Sequence, residues 1–339
     1  MQRQTLHEIQ PATLNWTGDD LVDWVNGRRV LFPIGHDNNP LIRYHFAFPF
    51  DSAISSSDGV YSFVYKKLGT KGLLLKNGEV LREINRSYYH AHVYEYPAAF
   101  AKLKDGRDIL IHCPNEYNQL EFEDVETGTL LTNTIDRKPE DFFHSRLEVS
   151  SDQKTLLSKG WVWHPYDFVE VFDIEECIKN PKALDQSRIK PETCAEINTA
   201  SFINNELVLI GAPNETEPFD DEFPDQLQNG QIGIWNIVTN TVSGILTPEC
   251  IIGGNLIAID DTFAWELYEY PKIINYKTGK VVNEIKEISS GKQVSSIVFN
   301  NQELPLIAFN QRTKQIAIGN KDTIEILTWH NPDEQQPYY

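Results

Sequence analysis

His90 and His92 alternate in the run Tyr88-Tyr89-His90-Ala91-His92, so on extended backbone both imidazoles leave the chain on one side. Joined by His144 or His164 they make a candidate metal site. Their spacing matches no established ligand motif, and hydrogen-bonded core histidines would explain each of them as well. Carboxylates form a second candidate set. Glu95, Glu116, Asp141, Glu148 and Glu269 lie in neighbouring segments, and a pair about 5–9 Å apart suits glycoside hydrolysis. With 49 acidic residues in the chain, however, close pairs arise without any catalytic purpose. Glu116, Asn118 and Asn214 offer the oxygen ligands that a calcium ion takes, but in no recognised pattern. Asp220, Asp221, Glu222 and Asp225 lack the alternating acids and glycine of an EF-hand loop and read as a solvated acidic loop. G-x-S-x-G, P-loop, G-x-G-x-x-G and H-E-x-x-H sequences are all absent. The chain therefore reads as non-catalytic and without a cofactor or a resident metal.

Recognition chemistry has the stronger signal. Trp163, His164, Tyr166, Tyr89, His90, His92, Phe143, Trp265 and Tyr268 fall in a few long segments, 85–97, 134–145, 159–168 and 261–271. Together with 32–46 and 112–119, these segments hold seven of the nine histidines. Tyr, Trp and His on exposed loops make good contact residues, each offering a large apolar ring and most a polar tip. The competing expectation is that the rings bury one another as a cap over the fold.

What must position these loops is a repeat. An apolar strand, a tight turn and a second apolar strand recur in hairpins starting at 21, 73, 120, 168, 232, 273 and 323. That spacing is close to the ~40–50 residues of a four-stranded propeller blade. Asn77-Gly78, Thr127-Gly128 and Thr278-Gly279 put glycine where a hairpin turn needs a positive φ, and Asn240 also tolerates it. The blade endings at 122–130 and 274–282 read v-x-D/N-x-x-T-G-x-v, and in this they resemble the WD40 and YVTN-type β-propellers. The Trp-Asp pairs that end standard WD40 repeats are absent, so the resemblance implies an architecture and no particular functional family.

We therefore expect an all-β chain, a β-propeller of four-stranded antiparallel blades, seven in preference to six. Residues 1–339 are expected to form one propeller domain, with a short helical insertion near 173–186 and the acidic loop near 214–230. Within a blade, the first-to-second and third-to-fourth strand turns share one end of the ring. Here those are short polar turns such as 56–59, 104–107 and 277–280. The aromatic segments all map to the opposite end.

Composition narrows the partner. Thirty basic against 49 acidic residues give a net charge of −19, which repels nucleic acid and anionic membranes and attracts a basic protein. No apolar run approaches the ~18 residues of a membrane span. Cys113, Cys177, Cys194 and Cys250 are scattered without a C-x-x-C pair, as in reduced, cytoplasmic proteins. The expectation is a non-catalytic module that neutralises or scaffolds a basic protein through its aromatic and histidine-rich face. The alternative is a hydrolase- or lactonase-like enzyme, or a small-ligand receptor, that uses the central pocket.

Overall fold

The computed structural model describes residues 1–7, 9–32, 39–186, 189–214, 222–298 and 304–331. Within them, seven antiparallel sheets follow one another along the chain. Blade 1 is Asn15–Thr17, Asp20–Asp23 and Arg28–Leu31; blade 2 is Ser52–Ser55, Tyr61–Tyr65, Lys71–Lys76 and Glu79–Asn85. Blade 3 is Ala98–Lys102, Asp108–His112 and Glu121–Asp124, with Leu130 bridging Glu123 in the outer position. Blade 4 is Glu148–Val149, Thr155–Val162 and Tyr166–Asp173, with Ile189 bridging Val171. Blade 5 runs from Thr199–Phe202 through Leu207–Gly211 and Ile232–Asn236 to Thr241–Leu246. Blade 6 runs from Leu256–Ala258 through Phe263–Glu266 and Lys272–Asn275 to Lys280–Glu284.

Blade 7 closes the ring. Its inner strands are Leu306–Asn310, Gln315–Gly319 and Thr323–Thr328, and its outer strand is the N-terminal Gln2–His7, paired from Gln2 opposite Thr328 to His7 opposite Thr323. Arg3 donates two hydrogen bonds to Glu325, 2.8 and 3.0 Å, and Thr5 donates a third at 2.8 Å. Bidentate charge-assisted bonds of this kind fix register as well as adding energy. The first strand and the strand Thr323–Thr328 are thus paired in one sheet, and neither leaves that edge free.

The repeated Asp/Asn of the blade endings has a local job. Asp124 accepts the amides of Glu126 and Thr127 at 3.1 and 2.9 Å. Asn275 does the same for Lys277 and Thr278, and Asn236 for Val238 and Thr239. Such Asx turns satisfy the orphan amides of the reversal. The residues that follow, Gly128 and Gly279 at φ 73° and 76° and Asn240 at 54°, supply the left-handed step.

The core lies between blades, where alternate strand residues of adjacent sheets interdigitate. Trp265 belongs here. It is 0% exposed and packs with Phe263, Leu267, Ile273 and Ile316, so it does not reach the loop face on which the sequence pattern placed it. Its strand, Phe263–Glu266, is buried throughout, and the aromatic-rich segment 261–271 is mostly blade rather than loop. Residues 174–186 hold two short helices between the third strand of blade 4 and its Ile189 bridge, Ile174–Lys179 and Ala183–Gln186. The first is N-capped by Asp173, which accepts the Glu176 amide at 2.7 Å.

Candidate functional site: an aromatic terrace and a strap over the channel

The connection from blade 2 to blade 3 is built around one buried cation. Arg86 donates from Nε to the carbonyl of Gly69 at 2.8 Å and from Nη2 to those of Ala91 and Tyr94, each at 2.9 Å. Its guanidinium also lies 4.4 and 4.9 Å from the ring centroids of Tyr94 and Tyr96. Burial lowers the Arg86 pKa, with the tyrosines and Glu95 opposing. The loop is therefore pinned from inside by a group that satisfies carbonyls no strand could reach.

On this base the aromatic side chains assemble. Phe143 is 0% exposed and stacks on Trp161 with centroids 3.9 Å apart and planes at 6°. It is the floor of the cluster, with no surface of its own to offer a partner. Tyr117 lies 4.5 Å from Phe143 and 4.7 Å from Tyr89. His90 meets Trp163 edge-on at 5.0 Å and His92 at 6.2 Å. Above the floor stand Tyr89, Trp163 and Tyr166, exposed by 42%, 40% and 49%, with Tyr88 more open still at 87%. Trp163 stands clear of the blade because Trp163, His164 and Pro165 form the loop between paired Val162 and Tyr166, with His164 at φ 104°. His90 is also at positive φ, 52°, a region that few residues other than glycine adopt.

The structure thus brings together Tyr89, His90, His92, Phe143 and Trp163, with His164 and Tyr166 on the same hairpin. Tyr268 is half-buried in blade 6, beside Gly253. Glu222 and Asp225 are exposed between the second and third strands of blade 5, whereas Asp220 and Asp221 lie outside the described residues. Tyr117 and Tyr88 complete the terrace. Tyr117 was legible only as one more aromatic in 112–119; its hydroxyl donates to Asp141 at 2.7 Å, and burial together with that carboxylate raises its pKa.

The other early candidates disperse. His144 is buried with Nδ1 3.0 Å from Ser158 Oγ, and burial lowers its pKa to about 3, so it is a neutral core residue away from His90. Among the described residues no three His, Cys, Asp or Glu side chains converge as a metal site. Glu148 pairs with Lys159 at 2.7 Å, and Glu269 with Lys292 at 2.8 Å. Asn118 and Asn214 are bonded to backbone at Glu140 and Ile252.

A feature without any sequence signature crosses the same end of the ring. The connection from blade 6 to blade 7 leaves as Ser290 and Gly291, which exchange backbone bonds with Glu269. It then passes the neighbouring inter-blade connections, the Gln293 carbonyl accepting from Gly254 N at 2.7 Å and the Val294 carbonyl from Asn198 Nδ2 at 2.7 Å. Ser296 N donates to buried Asp167 at 3.0 Å and Ser296 Oγ to the Lys159 carbonyl at 2.8 Å. Finally Ile297 bridges Tyr94, and Val298 N donates to Val93 O at 2.6 Å. Bonded to blade 6 at one end and to the blade 2–3 connection at the other, residues 290–298 form a strap over the central channel. Ile297 also packs against Tyr94, Phe143 and Trp161, so the strap buttresses the terrace from the axis side.

This architecture is that of a seven-bladed β-propeller. No family model matches the sequence, and no curated protein sequence matches it. Among 959 solved chains with a matching fold, one in the crystal structure of the mitotic checkpoint complex superposes with a TM-score of 0.60 over 97% of this chain and 91% of its own. The two are 11% identical, a likeness that defines the fold and leaves the activity to the site. The structural resemblance drawn from the blade endings holds at that level. No helix among the described residues is long and apolar enough to cross a membrane.

Proposed function

We propose that the protein is a non-catalytic binding module that holds a basic protein partner against the terrace of Tyr88, Tyr89, Trp163 and Tyr166. The observation that carries this reading is an exposed aromatic cluster seated on a fully buried floor. Rigid rings lose little entropy on contact, and aromatic anchors dominate binding energies at interfaces. Charge supports the choice of partner. The chain carries −19, the exposed carboxylates Glu116 and Asp141 flank Tyr117, and exposed ring faces take Arg and Lys by cation–π contact.

Retention of a partner by immobilised protein tests this reading. The intact chain should hold a stoichiometric basic partner that the Trp163→Ala, Tyr166→Ala double variant releases, while Val238→Ala, altered on blade 5, retains it. Rising salt should slow association as the acidic field is screened. Equal retention by the intact and doubly substituted chains would remove the terrace from the interface.

A further inference from the structure

Under the strap the inner strands enclose a cavity of about 390 Å³, within the range of small-molecule sites. It runs from Arg146, Ser290 and Gln293 at the strap to Phe202 and Gln311, where inner strands end at the short-turn face. No histidine and no terrace residue lines it. Its charged lining is Lys67, Glu95, Arg146, Glu148 and Lys159, three cations against two carboxylates in a chain that is otherwise strongly acidic.

The cations are unevenly satisfied. Lys159 has Glu148 at 2.7 Å, and Glu148 also accepts the Phe202 amide at 3.1 Å, so that pair is spent on structure. Arg146 gives Nη1 to the Gly254 carbonyl at 2.5 Å and Nη2 to the Asn198 carbonyl and Ser296 Oγ at 2.8 and 2.6 Å. All three acceptors are neutral, Asp167 and Glu95 act on its charge at longer range, and among the described residues its buried Nε has no hydrogen-bond partner. Lys67 uses only its backbone groups, its amide on Asp51 and its carbonyl for Tyr96 and Arg86. Among the described residues its ammonium has no hydrogen-bond or ion-pair partner. An unfilled buried donor such as Arg146 Nε carries a desolvation cost that an acceptor would relieve.

We propose that the channel is a binding site for a small oxyanion, a carboxylate or phosphate group, held by Lys67 and Arg146 and entering from the short-turn face. Glu95, whose carboxylate takes only a long 3.5 Å bond from Tyr65 Oη, faces the same space and accepts from a hydroxyl or amino group on the ligand. Glu95 also discriminates against highly charged polyanions, which it repels at short range. The terrace and this site lie on opposite sides of the strap, so the two can be tested separately.

Thermal unfolding with sodium phosphate or sodium succinate, compared with sodium chloride at matched ionic strength, reads binding directly. The intact chain should gain about 2 °C or more, saturating with concentration, in at least one of the two. Which of them acts tells phosphate from carboxylate. Arg146 anchors the strap, so its loss also disturbs the fold; Lys67→Met is the decisive variant because no side-chain bond is lost. It should fold, keep its melting temperature in chloride, and lose the gain. Trp163→Ala should keep the gain. A rise no greater than in chloride, or an equal rise in Lys67→Met, overturns the proposal.

Discussion

Blade 4 and blade 6 carry similar aromatic segments, Trp161-Val162-Trp163 and Phe263-Ala264-Trp265, and the two folded outcomes differ. In blade 4 the strand ends at Val162, so Trp161 is buried while Trp163, one residue past the end, is exposed. In blade 6 Trp265 is still inside the strand, and the segment continues into an ion pair, Lys272 to Glu266 at 2.8 Å, with both side chains almost fully buried. The Lys272 ammonium also donates to the carbonyls of Tyr268 and Tyr270, the latter at 3.1 Å, which ties the blade 6 turn down. Aromatic content does not make a contact surface; its position relative to the strand end does.

The sharpest way to break this comparison is to truncate both tryptophans. Trp265→Ala should cost roughly 3–5 kcal/mol of stability, the usual penalty for emptying a large core site. Trp163→Ala should cost about 1 kcal/mol or less, as for surface changes, while abolishing partner retention. Chemical denaturation of both variants checks it, and comparable losses would mean that Trp163 is core rather than terrace.

Buried carboxylates extend the contrast to pH. Burial raises the pKa of both: Glu266 in blade 6 has Lys272 and two backbone amides opposing the rise, whereas Glu170 in blade 4 goes from 4.5 to about 8 against a weaker pull from Lys190. A raised acid binds its proton more tightly when folded, so its contribution is complete below pH 4.5 and is lost as pH climbs through 8. Between pH 6 and pH 9 the intact chain should lose on the order of 1–3 kcal/mol that Glu170→Gln does not lose. Parallel slopes for the two proteins would place the titration elsewhere.

The blades were legible in the sequence because their turns are chemical. Asp124, Asn236 and Asn275 each cap a reversal with side-chain oxygen, and glycine or asparagine follows where φ turns positive. Most of the terrace was visible too, through the clustering of Tyr, Trp and His. Strand ends were not. A strand that stops two residues earlier or later looks the same in composition, and so the sequence pattern groups Trp265 with Trp163 and offers Phe143 as a contact residue. The strap was invisible for a different reason. Residues 290–298, SGKQVSSIV, hold the ring mouth almost entirely with backbone groups and small hydroxyls, whose partners are 21 to 205 residues away.

The strap itself supplies the smallest and most local effect. Two buried charged groups hold Ser296: Arg146 donates to its Oγ at 2.6 Å, and Asp167 accepts its amide at 3.0 Å, while burial raises the Asp167 pKa and Arg146 and the strap serines oppose that rise. Losing an acceptor at a buried amide costs about 1–3 kcal/mol, and about 1.4 kcal/mol is a tenfold change in an opening equilibrium. In Asp167→Ala the amides of Ser296 and Val298 should therefore exchange with solvent roughly 10- to 100-fold faster, while those of blade 6 are unchanged. Because Ile297 packs under Phe143 and Trp161, partner retention at the terrace should weaken along with the strap. Faster exchange with full retention would show that the terrace is supported by Arg86 and its loop alone.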